Sequence, residues 1–142
     1  MRPALPTLLA AAVLTALPAC DQNPFDRAQV PVLSVANGTP PVFSWTPAGA
    51  SFFRVFRGGS TRDGLAPIVW AVLAKTPRSN GLAGPITYGV VPATADENVP
   101  AQALVAGQTY TAELVRHDPK GTGDGFTNTS NTYRDTVVFV AR

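Results

Sequence analysis

The residues best able to carry out acid–base chemistry are few and lie apart along the chain. His117 is followed by Asp118, and Asp96 is followed by Glu97. A histidine beside a carboxylate can act as a general base, but neighbours in a strand point to opposite faces of a sheet. Two carboxylates cleave a glycosidic bond only when they face each other across the substrate, and Asp96 and Glu97 lie in a stretch with loop composition. The chain also lacks a Gly-x-Ser-x-Gly sequence, so we predict no catalytic residues.

The stretch 118–125, DPKGTGDG, contains two carboxylates within a glycine-rich segment. Calcium loops place oxygen ligands at alternate positions, and Asp118 and Asp124 are of the right type. Lys120, however, occupies a position where a ligand is needed. The stretch therefore indicates the tip of a hairpin, and we predict neither a metal site nor a cofactor.

Two loops carry the side chains best suited to contact a partner. In the stretch 57–64, RGGSTRDG, arginines and glycine amides can hold an anion, although the alternative is an ordinary connecting loop. In the second loop, 118–131, a single phenylalanine stands among polar residues, as an anchoring aromatic often does. We expect loops 58–66 and 118–131 to form one surface if they lie at the same end of the domain. The candidate binding residues are Arg57, Arg62, Asp124 and Phe126.

Composition favours a small domain built from short strands. Charged residues make up only 14% of the 142 residues, and the chain contains 14 Pro and 12 Gly, which interrupt helices. The net charge is +2 and no run of adjacent basic residues occurs, so we predict no nucleic-acid partner. One cysteine cannot form an internal disulfide, so burial must stabilise the core.

Residues 1–19 have the character of a helical signal peptide. Arg2 provides a positive start, and the uncharged apolar stretch 4–17 covers about 14 residues, fewer than the roughly 20 that span a bilayer. The Leu17-Pro18-Ala19-Cys20 sequence that follows resembles the lipobox of bacterial lipoproteins. The resemblance implies that Cys20 receives a covalent lipid and becomes the new N-terminus. The alternative is a secreted protein with a free thiol.

The resemblance also implies a location and a division of the chain. We expect an exported protein, attached by its lipid to the cell membrane or outer membrane of a bacterium. Residues 20–29 then form the lipidated N-terminus and a polar tether, and residues 30–142 form the domain.

The domain contains seven short apolar clusters separated by turn residues. Their lengths and composition predict an all-β fold, a seven-stranded antiparallel sandwich of two packed sheets. The predicted strands are 30–35, 42–45, 52–57, 68–74, 86–91, 109–117 and 132–141.

Two of these segments resemble fibronectin type III domains, which are immunoglobulin-like sandwiches. The stretch 43–47, FSWTP, has the tryptophan before a proline turn that marks the second strand of that family. The family's Leu-x-x-Gly-x-x-Tyr spacing is present from residue 104 to residue 110. The resemblance implies a core leucine and tyrosine beside a glycine turn, with the tyrosine hydroxyl bonded to nearby backbone. The implied core positions are Trp45, Leu104, Gly107 and Tyr110.

These observations favour a lipid-anchored envelope protein that is not an enzyme. Its sandwich would display loops toward a protein or glycan partner, or act as a spacer. Two alternatives remain open, a hydrolase of an envelope polymer and an accessory subunit of a larger complex. The hydrolase requires that His117, Asp118, Asp124, Asp96 and Glu97 converge in a cleft.

Overall fold

A computed structural model describes residues 27–59, 66–118 and 132–142 of the chain. These residues form eight strands and two short 3-10 helices, Arg27–Gln29 and Pro77–Ser79, and include no α-helix. The strands are β1 (Val32–Ala36), β2 (Val42–Thr46), β3 (Phe52–Arg57), β4 (Ile68–Ala74), β5 (Ile86–Thr87), β6 (Ala95–Val99), β7 (Thr109–His117) and β8 (Thr132–Val140).

The strands form two antiparallel sheets, as a sandwich requires. One sheet has three strands in the order β1-β2-β5, and the other has five in the order β6-β4-β3-β7-β8. The core lies between them, and an aromatic cluster joins the sheets. The ring of Phe43 on β2 lies 4.9 Å from that of Phe53 on β3 and 5.4 Å from that of Phe139 on β8. Trp70 on β4 is fully buried and continues the cluster, 5.8 Å from Phe53.

The structure has eight strands in its described residues, where the sequence predicted seven. The additional strand, β6, lies between the predicted strands 86–91 and 109–117, and it pairs with β4 at the edge of the larger sheet. Because β6 is an edge strand, only Ala95 is buried, and its polar residues give no apolar alternation. The predicted strand 86–91 is also shorter than expected, because β5 ends at Thr87 and Gly89 has a left-handed backbone with φ of 75°.

The antiparallel register defines two ends of the sandwich. The N-terminal end contains the start of β1, the β2–β3 connection, the end of β7 and the start of β8. The C-terminal end contains the β1–β2 connection, the end of β3, the start of β7 and the end of β8. Strand β7 has nine residues, which separates the two ends by roughly 27 Å at about 3.4 Å per residue.

The core positions implied by the resemblance lie in or beside the core. Trp45 and Tyr110 are buried, and Leu104 is half-buried and packs against the core cluster. Gly107 lies in an exposed turn with φ of 77°. The signal peptide and Cys20 lie outside the described residues. Within the described part of the chain, no helix is long and apolar enough to cross a membrane.

Candidate functional site

A cleft of about 270 Å³ opens at the C-terminal end of the sandwich, where residues from both sheets line it. The β1–β2 connection, the end of β5, the β6–β7 connection and the residues after β8 all contribute to it. Its volume lies just below the range of about 300 to 1,000 Å³ that is typical of small-molecule sites. The lining residues are Gly38, Thr39, Pro40, Pro41, Tyr88, Ala103, Leu104, Ala141 and Arg142.

One wall of the cleft is the β1–β2 connection, whose two prolines restrict the backbone. The backbone N–H of Tyr88 donates to the carbonyl oxygen of Pro41 at 3.0 Å, which fastens this connection to the end of β5. The hydroxyl of Thr39 donates to the backbone oxygen of Arg142 at 3.4 Å. These contacts join the wall to both sheets, so the cleft is formed without a ligand.

Leu104, which also lines the cleft, begins the segment that leads to Tyr110. The Tyr110 hydroxyl accepts a hydrogen bond from the backbone N–H of Val105 at 3.0 Å, and the N–H of Gly107 donates to the carbonyl of Ala141 at 2.9 Å. The turn between them needs the positive φ that glycine adopts readily. The buried tyrosine thus holds the turn so that Leu104 lines the cleft and also contacts the core.

Tyr88 lies at the base of the cleft with its hydroxyl already engaged. The hydroxyl is 2.7 Å from the carbonyl oxygen of Gln102 and 3.2 Å from that of Val69. The pKa of Tyr88 is raised to about 12, chiefly by burial and also by Tyr110, whereas the hydrogen bond to Gln102 and the charge of Arg57 act in the opposite direction. Tyr88 is therefore a neutral wall residue, and the charge of Arg57 reaches this end of the sandwich.

The described residues that flank the two candidate loops lie at opposite ends of the sandwich. Arg57 ends β3 opposite Tyr110, at the C-terminal end, and is exposed. The residues that flank the second loop, His117 and Thr132, pair at the N-terminal end. The bases of the two loops are therefore separated by the length of β7, whereas the expected single surface was conditional on a shared end. Arg62, Asp124 and Phe126 lie outside the described residues.

The acid–base residues within the described ranges do not converge. Asp96 and Glu97 lie on β6, and β4 and β3 separate that strand from β7, whose last residue is His117. Three strand spacings correspond to roughly 14 Å. At His117 the backbone is bracketed by the Asn80 side chain, which accepts from the His117 N–H at 2.8 Å and donates to its carbonyl at 2.9 Å. No group of three metal-ligating side chains occurs within the described ranges, and most of the stretch 118–125 lies outside them.

Arg116 is a buried charge that the sequence analysis did not single out. Its guanidinium donates to the carbonyl oxygens of Pro47, Ala48 and Gly49 in the β2–β3 connection. It also donates to the side-chain oxygen of Gln29 at 3.3 Å. Burial lowers the pKa of Arg116. Arg116 thus connects the N-terminal segment and the β2–β3 connection to β7. In the sequence, the only sign of this role is a charged residue within a run of β-forming residues.

Glu113 is a second buried charge that the sequence analysis did not single out, on the outer face of the larger sheet. Its side chain is 5% exposed and accepts from Arg54 Nε at 2.5 Å and from Arg134 Nη1 at 3.3 Å. The Arg54 guanidinium lies over Phe52 and Phe56, 5.5 Å and 4.7 Å from their ring centroids. This arrangement joins β3, β7 and β8 on one face, and both carboxylate oxygens of Glu113 are engaged in it.

The cleft is therefore the described feature best suited to take a ligand, because it is concave, apolar and held by backbone hydrogen bonds. The buried charges elsewhere are engaged in contacts that stabilise the fold. Comparison with family models, with curated proteins and with solved structures gives no match for this chain.

Proposed function

We propose that this chain is a lipid-anchored envelope protein whose β-sandwich is a non-catalytic binding module. The lipid is attached to Cys20, and binding takes place at the C-terminal end of the sandwich. The observation that carries the proposal is the opposite placement of the chain's entry and the cleft. An anchor at one end leaves the other end free to meet a partner.

The entry of the chain into the sandwich supports this orientation. Arg27–Gln29 forms a 3-10 helix, and the Gln29 side chain is held by Arg116 at the end of β7. Strand β1 then starts at the same end. A tether from Cys20 therefore joins the body at the N-terminal end, roughly one β7 length from the cleft.

The proposed relation to fibronectin type III domains rests on the tyrosine segment. In immunoglobulin-like sandwiches a tyrosine near the start of a late strand bonds through its hydroxyl to backbone a few residues upstream. Tyr110, the second residue of β7, has such a bond with Val105. The division into sheets of three and five strands is compatible with a sandwich of this kind that carries β6 as an additional edge strand.

The alternatives have weaker support from the described residues. A hydrolase needs converging polar groups, and His117 lies roughly three strand spacings from the acidic pair on β6. An accessory subunit needs a larger apolar surface. Val138 and Val140 are 53% and 49% exposed on the outer face of β8, but Arg134 on the same face is engaged with Glu113.

The proposal is tested by lipid labelling and by site-specific cross-linking in bacterial cells. Palmitate should label the wild-type protein and not the Cys20→Ser variant, which should leave the membrane fraction. A photo-cross-linker placed at Ala103, beside the cleft, should capture a partner, whereas one at Arg78, at the N-terminal end, should not. Equal membrane retention of the Cys20→Ser variant refutes the anchor. Cross-links from Arg78 alone refute the binding end.

A further inference from the structure

We propose that Asn37-Gly38, in the β1–β2 connection, is a modification site at which the asparagine converts to aspartate and isoaspartate without an enzyme. The inference does not rest on the proposed function. Gly38 lines the cleft, so the reaction changes one of the cleft's walls. Either product adds a carboxylate beside that wall, and isoaspartate also lengthens the backbone by a methylene.

The reaction needs only the chain and water. The backbone nitrogen of Gly38 attacks Cγ of Asn37, a C–N bond forms, the nitrogen loses its proton, and the Cγ–Nδ2 bond breaks to release ammonia. Water then opens the cyclic imide. Opening at the side-chain carbonyl gives aspartate, and opening at the former backbone carbonyl gives isoaspartate. Glycine at the second position favours the attack, because no Cβ hinders the approach of its nitrogen.

The Asn37-Gly38 pair meets the requirements of this reaction. Both residues are exposed and lie between the end of β1 at Ala36 and the start of β2 at Val42. Within the described part of the chain, neither the Asn37 side chain nor the Gly38 N–H has a hydrogen-bond partner. The attacking nitrogen and the side-chain amide are therefore free to adopt the geometry that an intramolecular reaction requires.

The second Asn-Gly pair of the chain, Asn80-Gly81, provides an internal contrast. Asn80 is only 9% exposed, and its side chain donates to the His117 carbonyl at 2.9 Å and accepts from the His117 N–H at 2.8 Å. The Gly81 N–H, which would have to attack, donates to the Thr76 carbonyl at 3.1 Å. Both reacting groups are held, so these hydrogen bonds must open before the pair can react.

This contrast determines the expected selectivity. Each hydrogen bond that must open first slows the reaction by about fivefold. Because three such bonds hold the second pair, Asn37 should react roughly a hundredfold faster than Asn80 in the folded protein. In the unfolded chain this protection is lost, and the two pairs should react at comparable rates.

The test is peptide-mass mapping of the full chain, carrying Cys20→Ser, after storage in neutral buffer made with heavy-oxygen water. Opening of the imide incorporates one heavy oxygen, and labelling by an isoaspartate methyltransferase detects the rearranged product. We expect the Asn37 peptide to acquire both signals while the Asn80 peptide keeps its mass. The same storage in concentrated urea should modify both peptides.

Matched variants identify the reacting residue. Asn37→Gln lengthens the side chain by a methylene and should abolish the isoaspartate signal. Asn98→Gln, at an exposed asparagine of β6 that precedes a valine, should leave the signal unchanged. Both substitutions are at exposed positions, and dispersed amide spectra show that each variant is folded.

Three results would overturn the inference. The first is an equal rate at Asn37 and Asn80 in the folded protein. The second is an Asn37 peptide that reacts in urea and not in the folded state, which would show that the fold protects this pair as well. The third is an isoaspartate signal that persists in Asn37→Gln.

Discussion

The buried carboxylate of Glu113 allows a quantitative test of how the outer face of the larger sheet is stabilised. Replacing Glu113 by Gln keeps the side-chain volume and removes the negative charge. The Arg54 guanidinium then remains between Phe52 and Phe56 without a counter-ion. We expect the free energy of unfolding to fall by about 2 to 3 kcal/mol, below the 3 to 5 kcal/mol for a fully buried pair.

The two arginines should differ in their coupling to Glu113. Unit charges about 4 Å apart attract by about 4 kcal/mol at an effective dielectric constant of about 20, which is an upper limit for Arg54, whose side chain is 26% exposed. Partial solvation reduces the expected coupling to about 2 kcal/mol. The Arg134 side chain is 57% exposed, so its coupling should lie between about 0.2 and 1 kcal/mol.

The assay is urea unfolding of two double-mutant cycles in the Cys20→Ser background. One cycle combines Glu113→Gln with Arg54→Met, and the other combines it with Arg134→Met, because methionine keeps most of the apolar stem. Equal coupling in the two cycles would refute the argument, since exposure would then not control the strength of the pairs. So would a coupling to Arg54 below about 0.5 kcal/mol.

Three further predictions concern glycine conformation and the two tyrosines of the C-terminal end. Gly107→Ala should lower the free energy of unfolding by about 1 to 2 kcal/mol, because only the positive φ opposes the added methyl group. Gly49→Ala should lower it by about 2 to 5 kcal/mol, because its methyl group would also clash with the Asn80 carbonyl oxygen. Equal losses of stability in urea unfolding would contradict this difference. Tyr110→Phe should cost about 1 kcal/mol by leaving the Val105 N–H without its acceptor, and unchanged stability would show that the bond contributes nothing. For Tyr88, the unfolded chain loses its phenolic proton near pH 10 and the folded protein near pH 12, so stability should fall between those values by at most about 2.7 kcal/mol. Tyr88→Phe should remove that part of the fall, and identical alkaline unfolding curves for both proteins would refute the assignment.

The strands with clear apolar patterns could be predicted from sequence, because they lie inside the larger sheet with a neighbouring strand on each side. Strand β4 contains a continuous apolar run, and it lies between β3 and β6 with even Ala71 almost fully buried. In β7, Tyr110, Ala112 and Leu114 alternate as a core face should, and all three are buried.

The features that could not be predicted depend on contacts with residues that lie far away in sequence. Strand β6 has three exposed polar residues, and only its pairing with β4 makes it a strand. In β3 both faces carry apolar residues, and only the packing of the two sheets places Phe53 and Val55 in the core. The burial of Glu113 depends on Arg54 from another strand.

The candidate site shows the same limit. Leu104 was expected as a core residue from the Leu-x-x-Gly-x-x-Tyr spacing, and it contacts the core as well as lining the cleft. The cleft brings together segments around residues 40, 88, 104 and 142. No local sequence pattern predicts that these segments lie together, because the cleft forms only when the two sheets pack.

Asp135 has a consequence for how separate molecules meet. Its carboxylate accepts the backbone N–H of Leu33 at 2.7 Å, from the opposite sheet. Leu33 lies on β1, an outermost strand, where a free N–H would invite another chain to dock edge-on. Because the Asp135 carboxylate occupies this N–H and places a charge at the edge of the sheet, it discourages such edge-to-edge pairing. Asp135→Ala should therefore self-associate at concentrations where the wild type remains monodisperse in light scattering.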